Sequence, residues 1–461
     1  MKFLLITSFC KELVKVWVCQ ETSPAGSLLP PVDLASVASV IRQKGHEAKI
    51  IDLRLFKRPL DKYTEEGKKF KPDFVISNLS TTSANYDYEL IAATPNNIKK
   101  IYFGTHAQSL PEECFRKGVD YILMGDPEAA LLSLLENNLD GTVSKGVLTI
   151  QNLKKVPYYW ENLDTMPFPS LDLLDMHRYY APYIRRGNLF TLLLGSRGCS
   201  YKCTYCLYPV LFGNKFRLRS ESNIVDEIEE CYRKFDIKEF YFLDATFNFS
   251  KKRIEDFCNE LMKRNLKVRW SCNMRVSPVS LDMLRLMKEA GCSKIFYGVE
   301  DQDFLNETNK GITKELTIEA FRQTKEAGIS TVAFIMLFPR DDIREKVYVR
   351  NILSTLNILK TDAFQCNVAI PFPGTEMFNM VRGEKDVENN WSYYDPHGKI
   401  LPYKSKLDLI KVKRTIYRKY LFLNPWAVIK VLADINFRAF KAIVTTFLKQ
   451  SIMPSLFILR K

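Results

Sequence analysis

What this 461-residue chain lacks removes several classes of protein at once. Of its eleven cysteines, eight are scattered singly (Cys10, Cys19, Cys114, Cys231, Cys258, Cys272, Cys292 and Cys366). That is no secreted disulfide framework, and a reducing cytoplasm is expected. No run reaches the roughly 18 to 20 uncharged residues of a membrane span. The start, Met1-Lys2-Phe3-Leu4-Leu5-Ile6-Thr7, has no signal-length apolar region and no small-residue cleavage site, so it reads as a first strand.

Charge is unevenly placed. Residues 401–461 hold 13 Lys or Arg against 2 Asp, a net +11 of the chain's +14. The remainder is close to neutral, which argues against a general nucleic-acid-binding surface and for a basic C-terminal element with a partner of its own. Leu409, Val412, Ile416 and Tyr420 recur there at helical spacing, with Lys411, Arg414 and Arg418 off that line. Phe440, Ile443, Val444, Phe447 and Leu448 make a second apolar stripe. Such helices either cap a neighbouring domain or lie on an anionic membrane surface.

What is present is strand and helix in alternation, in two blocks. In the first, Phe3 to Thr7, Ala48 to Leu53, Phe74 to Ser77, Ile101 to Phe103 and Tyr121 to Met124 read as short buried strands. Leu34 to Lys44 reads as a helix closed by Gly45. This is the pattern of an open parallel sheet, whose ligands sit beyond the carboxyl ends of its strands. A Pro- and aromatic-rich connection follows. The second block places strands at Phe190 to Leu194, Glu239 to Leu243, Val268 to Cys272, Lys294 to Val299, Thr331 to Leu337 and Ala363 to Ala369. Helices such as Asn223 to Lys234, Lys251 to Arg264 and Thr313 to Ala327 lie between them. Six consecutive βα units predict an incomplete barrel with its reacting groups at the C-terminal strand ends.

Directly after the first strand of that barrel stand Cys199, Cys203 and Cys206, spaced C-x3-C-x2-C. Three thiolates on one tight loop suit three irons of a [4Fe–4S] cluster and leave the fourth iron open to a substrate or cofactor. Zinc is the main competitor, but a structural zinc site wants a fourth protein ligand, and no nearby His or Cys supplies it. Unrelated structural cysteines are the other alternative. Asp244, Arg275 and Glu300 stand at the ends of the next three strands. A zwitterionic amino acid carrying a ribose needs such a cation and such anions; an ordinary strand-end salt bridge is the bland reading.

With Tyr205 before the last thiol, and with Gly195-Ser196-Arg197-Gly198 and Leu207-Tyr208-Pro209 around it, the motif resembles that of the radical S-adenosylmethionine superfamily. It is similar in particular to the branch with an N-terminal cobalamin-binding domain. Pro30-Pro31-Val32-Asp33-Leu34-Ala35, Lys71-Pro72-Asp73-Phe74-Val75-Ile76-Ser77, Phe103-Gly104-Thr105-His106 and Gly125-Asp126-Pro127-Glu128 resemble that domain. Leu163-Asp164-Thr165-Met166-Pro167-Phe168-Pro169 resembles its link to the cluster domain, and Pro371-Phe372-Pro373-Gly374-Thr375 a later strand end.

The resemblance implies an α/β chain in four parts: a Rossmann- or flavodoxin-like cobalamin-binding domain over 1–145, a linker over 146–187, a radical S-adenosylmethionine partial (β/α)6 barrel over 188–385 and a basic helical region over 386–461. It implies a [4Fe–4S] cluster on Cys199, Cys203 and Cys206, S-adenosyl-L-methionine near Tyr205, Asp244, Arg275 and Glu300, and cobalamin near Ser77, Ser80, Gly104 and Gly125. No D-x-H-x-x-G occurs, so cobalt would lack a histidine on its lower face, and lone His106 reads as a hydrogen-bonding group. Met336-Leu337-Phe338-Pro339-Arg340-Asp341 departs from the family's G-x-P-G-E.

The activity implied is C-methylation of an unactivated carbon through a 5′-deoxyadenosyl radical. A cyclisation, ring rearrangement or oxidation without methyl transfer is the runner-up, and a non-enzymatic iron–sulfur protein the third reading. The partners expected are an external electron donor of flavodoxin or ferredoxin type and a small-molecule, lipid or peptide substrate. The place expected is the cytoplasm, with peripheral contact at the inner membrane face through the C-terminal region.

Overall fold

The computed structural model describes residues 1–9, 27–181, 184–185, 187–383, 390–394 and 401–423. Two six-stranded sheets carry it. The first contains β1 (Lys2–Ile6), β2 (Glu47–Ile51), β3 (Phe74–Asn78), β4 (Lys99–Phe103), β5 (Tyr121–Leu123) and β6 (Val147–Leu148). Its order is β2-β1-β3-β4-β5-β6, all parallel except β6. This is the flavodoxin-like order, with the chain reversing direction across the sheet beside β1. The antiparallel β6 has no counterpart in the sequence reading and carries the first sheet to Leu148; two residues give too short a run to register as a strand. Phe3, Leu5, Phe74, Ile76, Ile101 and Phe103 fill one face against the helix Val32–Gln43.

The second sheet begins with β7 (Leu189–Leu193). A small ribbon of β8 (Ser196–Arg197) and β9 (Arg217–Leu218) brackets the cysteine loop. Then follow β10 (Ile237–Phe242), β11 (Arg269–Met274), β12 (Cys292–Gly298), β13 (Ser330–Leu337) and β14 (Ala363–Val368). The order β14-β13-β12-β11-β10-β7 is consecutive and parallel throughout, a half-barrel of βα units. Ser220, Ser250 and Thr313 cap the helices Glu221–Phe235, Lys251–Lys263 and Lys314–Glu326 through side-chain oxygens.

The helix Leu409–Leu423 turns the stripe Leu409, Val412, Ile416 and Tyr420 into the barrel core and packs on β14 and the helix Glu345–Leu359. The Tyr417 hydroxyl accepts from the Cys366 N–H at 2.9 Å, so this helix covers the open edge of the half-barrel. For this first stripe the capping role is the one seen. The second stripe, Phe440 to Leu448, lies outside the described residues. Among the described residues no helix is long and apolar enough to cross a membrane.

Candidate active site

The cysteine loop leaves β7 through a backbone that admits no side chain at Gly198, where φ is +82° and a Cβ would run into the Lys215 carbonyl. Asp244, at the end of β10, is fully buried. It accepts from the Gly195 N–H at 2.9 Å and the Ser196 hydroxyl at 2.5 Å, so it ties the loop's entry to the neighbouring strand. Burial raises its carboxyl above the usual range, with the Arg253 cation opposing.

Cys199 is buried and Cys203 and Cys206 are half-buried. Burial raises the Cys199 thiol and pushes Cys206 up to about 12. Each of these two also feels the charge of Cys203, so the three thiols share one electrostatic neighbourhood. Among the described residues no three His, Cys, Asp or Glu side chains converge as they would round one metal ion. A cluster asks for less convergence, because each thiolate takes a different iron.

The opposite wall of this mouth is the loop after β12. The Thr204 N–H donates to the Thr308 carbonyl at 3.2 Å, and the Tyr205 hydroxyl donates to Glu300 Oε1 at 3.1 Å. Glu300 is buried at φ +60°, a left-handed position unusual for glutamate. Lys310 Nζ lies 2.5 Å from the same oxygen. Arg275, after β11, stacks its guanidinium on the Tyr201 ring, 3.7 Å from the centroid, and donates to the Lys310 carbonyl. Thus Tyr205, Arg275 and Glu300 come together round the cysteine loop, while Asp244 stands behind it. Lys310 escaped the sequence reading; it lies ten residues past Glu300 in an ordinary-looking Asn309-Lys310-Gly311 turn. The departure at Leu337 to Arg340 is accommodated by folding Arg340 away onto Asp301 and Asp342, while the Phe338 ring faces Tyr205 at 5.5 Å.

The strand ends of the first sheet face this mouth. Arg197, two residues before Cys199, donates to both oxygens of Glu128 at 2.7 and 2.8 Å and lies 3.2 Å from Asp126; Arg217 also binds Asp126. The Ser36 hydroxyl completes Glu128, and the Ser109 hydroxyl donates to the Pro373 carbonyl past β14. Ser77 and Ser80 are buried at the end of β3. Ser77 donates toward Asp87 at 3.4 Å, and Ser80 meets Ser83, which in turn donates to Asp87. Gly104 and Gly125 follow β4 and β5 at φ +104° and +81°, where side chains would strike Asn78 and the Tyr158 backbone.

Among the described residues, the Tyr102 hydroxyl, buried near Asp87, has no hydrogen-bond partner. An orphan donor among buried serines at these strand ends fits the amide-rich rim of a corrin. Neither ring nitrogen of His106 is available to cobalt: Nδ1 meets Thr81 at 3.1 Å and Nε2 meets Tyr88 at 3.0 Å. Residues 10–26 contain no histidine.

Comparison with known proteins agrees with this geometry. The model of the Radical SAM superfamily matches residues 193–350. An uncharacterized methyltransferase of Pyrococcus horikoshii is 30% identical over 93% of this chain and 94% of its own length. The anaerobic magnesium-protoporphyrin IX monomethyl ester cyclase of Rubrivivax gelatinosus is 26% identical over 86% of this chain and 69% of its own. Among solved structures, the radical S-adenosylmethionine methyltransferase TsrM of Kitasatospora setae superposes with a TM-score of 0.63 at 19% identity, over 82% of this chain and 74% of that one. The chain belongs to the radical S-adenosylmethionine enzymes, with a barrel that follows an N-terminal parallel-sheet domain.

Proposed function

We propose that this enzyme is a cobalamin-dependent C-methyltransferase acting on an unactivated carbon. The observation that carries the reading is the facing of two sets of strand ends, with the thiol loop on one and the serine- and glycine-lined edge on the other, joined by Arg197 and Arg217. When bound, a [4Fe–4S] cluster supplies the electron that cleaves S-adenosylmethionine, and cobalamin supplies the methyl group.

The chain's own residues hold and orient. Cys199, Cys203 and Cys206 would ligate three irons. Tyr205 would lie near the adenine and Glu300 would meet the methionine ammonium of S-adenosylmethionine, with Arg275 and Asp244 fixing the two walls of the mouth. Ser77, Ser80, Gly104 and Gly125 would line the corrin. An external electron donor of flavodoxin or ferredoxin type would reduce the cluster. The Pyrococcus relative and TsrM, both methyltransferases by name, support methyl transfer. The Rubrivivax cyclase supports a second reading, a ring-forming or oxidising reaction that uses the same radical without methyl transfer.

A cytoplasmic place and contact of the basic tail with an anionic membrane surface belong to the same proposal, resting on cysteine usage and on the +11 of residues 401–461. The substrate is then a small molecule, lipid or peptide presented to the mouth. Mass spectrometry of lipids and metabolites from cells with and without the protein, grown on methyl-labelled methionine, tests the reading. A labelled product that disappears with the gene supports methyl transfer. A product altered in ring or oxidation state but unlabelled moves the assignment to the second reading.

A further inference from the structure

Exposed apolar side chains gather in one stretch of this chain. Among the described residues thirteen large apolar side chains stand out from the core, and four of them, Val143, Ile150, Leu153 and Val156, fall within residues 143–156 at 39% to 63% exposed. The same stretch is basic: residues 141–160 hold Lys145, Lys154 and Lys155 and no Asp or Glu. We infer that residues 142–156 form a membrane-docking hairpin, whose aliphatic tips enter the acyl boundary of an anionic lipid surface while its lysines meet the headgroups. The surface lies on the N-terminal domain, apart from the basic tail, and its use needs neither the cluster nor a cofactor.

Shape is the first argument. Just past β6 the chain turns on itself: the Thr149 and Asn152 N–H groups each donate to the other's carbonyl at 3.1 Å, which puts Ile150 and Gln151 at the tip of a two-residue turn. The Asn152 side chain donates to the Thr142 carbonyl at 3.5 Å, and Gly141 lies so close to Thr149 that a Cβ there would strike its methyl group. Val143 is thereby brought alongside the turn that carries Ile150, with Leu153 directly after it. Two-residue turns favour Gly, Asn and Asp, so an isoleucine at the tip does nothing for the turn itself. An aliphatic tip contributes free energy only when it leaves water, and in the isolated chain this one does not.

Charge is the second argument. Of the three lysines only Lys155 meets a carboxylate among the described residues, Glu112 at 3.6 Å in an exposed pair, while Lys145 lies over the Tyr158 ring at 5.5 Å. Lys145 and Lys154 are left to an outside anion. Aliphatic tips interleaved with lysines match acyl chains beneath anionic headgroups. A protein partner is the poorer match, because protein interfaces are enriched in aromatic side chains and Arg and depleted in Lys. Position is the third argument. Lys155 Nζ also donates to the Ser109 carbonyl at 3.4 Å, and the Ser109 hydroxyl donates to the Pro373 carbonyl past β14, so the hairpin borders the seam between the first sheet and the barrel mouth. Docked by this hairpin, the enzyme holds that seam at the lipid surface.

The test is sedimentation of the full chain with vesicles of mixed phosphatidylglycerol and phosphatidylcholine, for wild type, for Ile150→Glu with Leu153→Glu, and for Lys145→Gln with Lys154→Gln. All three keep residues 401–461, so the basic tail contributes equally to each. Wild type is expected to partition onto these vesicles. The aliphatic variant is expected to bind about tenfold or more weakly at low and at high salt. The lysine variant is expected to bind about tenfold or more weakly at low salt, with the difference closing near about 1 M salt, where charge is felt over only about 3 Å. The substituted side chains are exposed, so the urea transitions of the three proteins are expected to coincide. Variants that bind as wild type does would leave all binding to the tail and overturn the hairpin, as would wild type that ignores the vesicles. Sedimentation velocity without lipid reads the other occupant: a wild-type dimer that the aliphatic variant abolishes would assign the patch to a second copy of the chain and overturn the inference. None of these readouts involves methyl transfer, so the hairpin and the proposed function can each fail alone.

Discussion

Cys206 shows what the thiol loop requires of its metal. Its burial pushes the thiol up to about 12, and a thiol becomes an iron ligand as its proton leaves; with three thiols for three irons, the loop has none to spare. Cys203→Ala should therefore remove the cluster and S-adenosylmethionine cleavage together, read by iron analysis and by 5′-deoxyadenosine formation; full activity in that variant would end the cluster assignment. Glu300 separates cofactor binding from cluster binding. Glu300→Gln keeps the shape and removes the charge, and losing a charge-assisted hydrogen bond costs about 1.5 to 3 kcal/mol. S-adenosylmethionine should bind about ten- to a hundredfold more weakly by calorimetry, with iron content unchanged. The cysteines were legible in the sequence because their geometry is local. The ion pair of Glu300 was not, because Lys310 reaches it from a loop whose path only the folded backbone reveals. Arg275 was legible as a strand-end cation, but its stacking on Tyr201 depends on two loops meeting.

Among the elements, the helix Pro59–Phe70 packs Tyr63 and Phe70 with Ile51 of β2 and adds one carboxylate to the join. Glu66 accepts from Lys49 and Lys62, each at 2.6 Å, and those two hydrogen bonds hold its carboxyl at about 2 against an ordinary 4.5. The folded-state value lies below the unfolded one, so the stabilisation is complete above about pH 4.5 and is lost as pH falls toward 2. Glu66→Gln should cost at most about 1 kcal/mol at pH 7, since the pair lies near solvent, and close to nothing near pH 2. Urea unfolding at the two pH values checks this, and an equal cost at both would contradict it. Elements with strong periodicity were read within two residues of their ends, as with Glu221–Phe235 against the expected Asn223 to Lys234. The stripe of Leu409 to Tyr420 was legible as a stripe. What it packs against was not, because an amphipathic helix carries the same pattern whether its apolar face meets a barrel edge or a lipid surface.

For the molecule as a whole, the join between the sheets is a buried network of two arginines and two carboxylates. Arg197→Met leaves Glu128 without its charge partner, and breaking such a pair costs about 3 to 5 kcal/mol. Because Arg197 is also two residues from Cys199, the same variant should loosen the cysteine loop. Its urea transition should fall to lower concentration and separate by probe, and its cluster should be lost faster on exposure to a chelator. A single unshifted transition would show that the join carries no coupling. The alternation of strands and helices announced both sheets. It did not announce that their strand ends face each other, since that depends on Asp126, Glu128, Arg197 and Arg217 meeting across a linker. The most direct test of the account is anaerobic reconstitution of the full chain with iron, sulfide and hydroxocobalamin, followed by reduction in the presence of S-adenosylmethionine. The account predicts about four irons per chain on Cys199, Cys203 and Cys206, a bound corrin without histidine ligation to cobalt, and 5′-deoxyadenosine as a product. A chain that takes up no cluster, or one that holds its cluster and leaves S-adenosylmethionine intact, would contradict it.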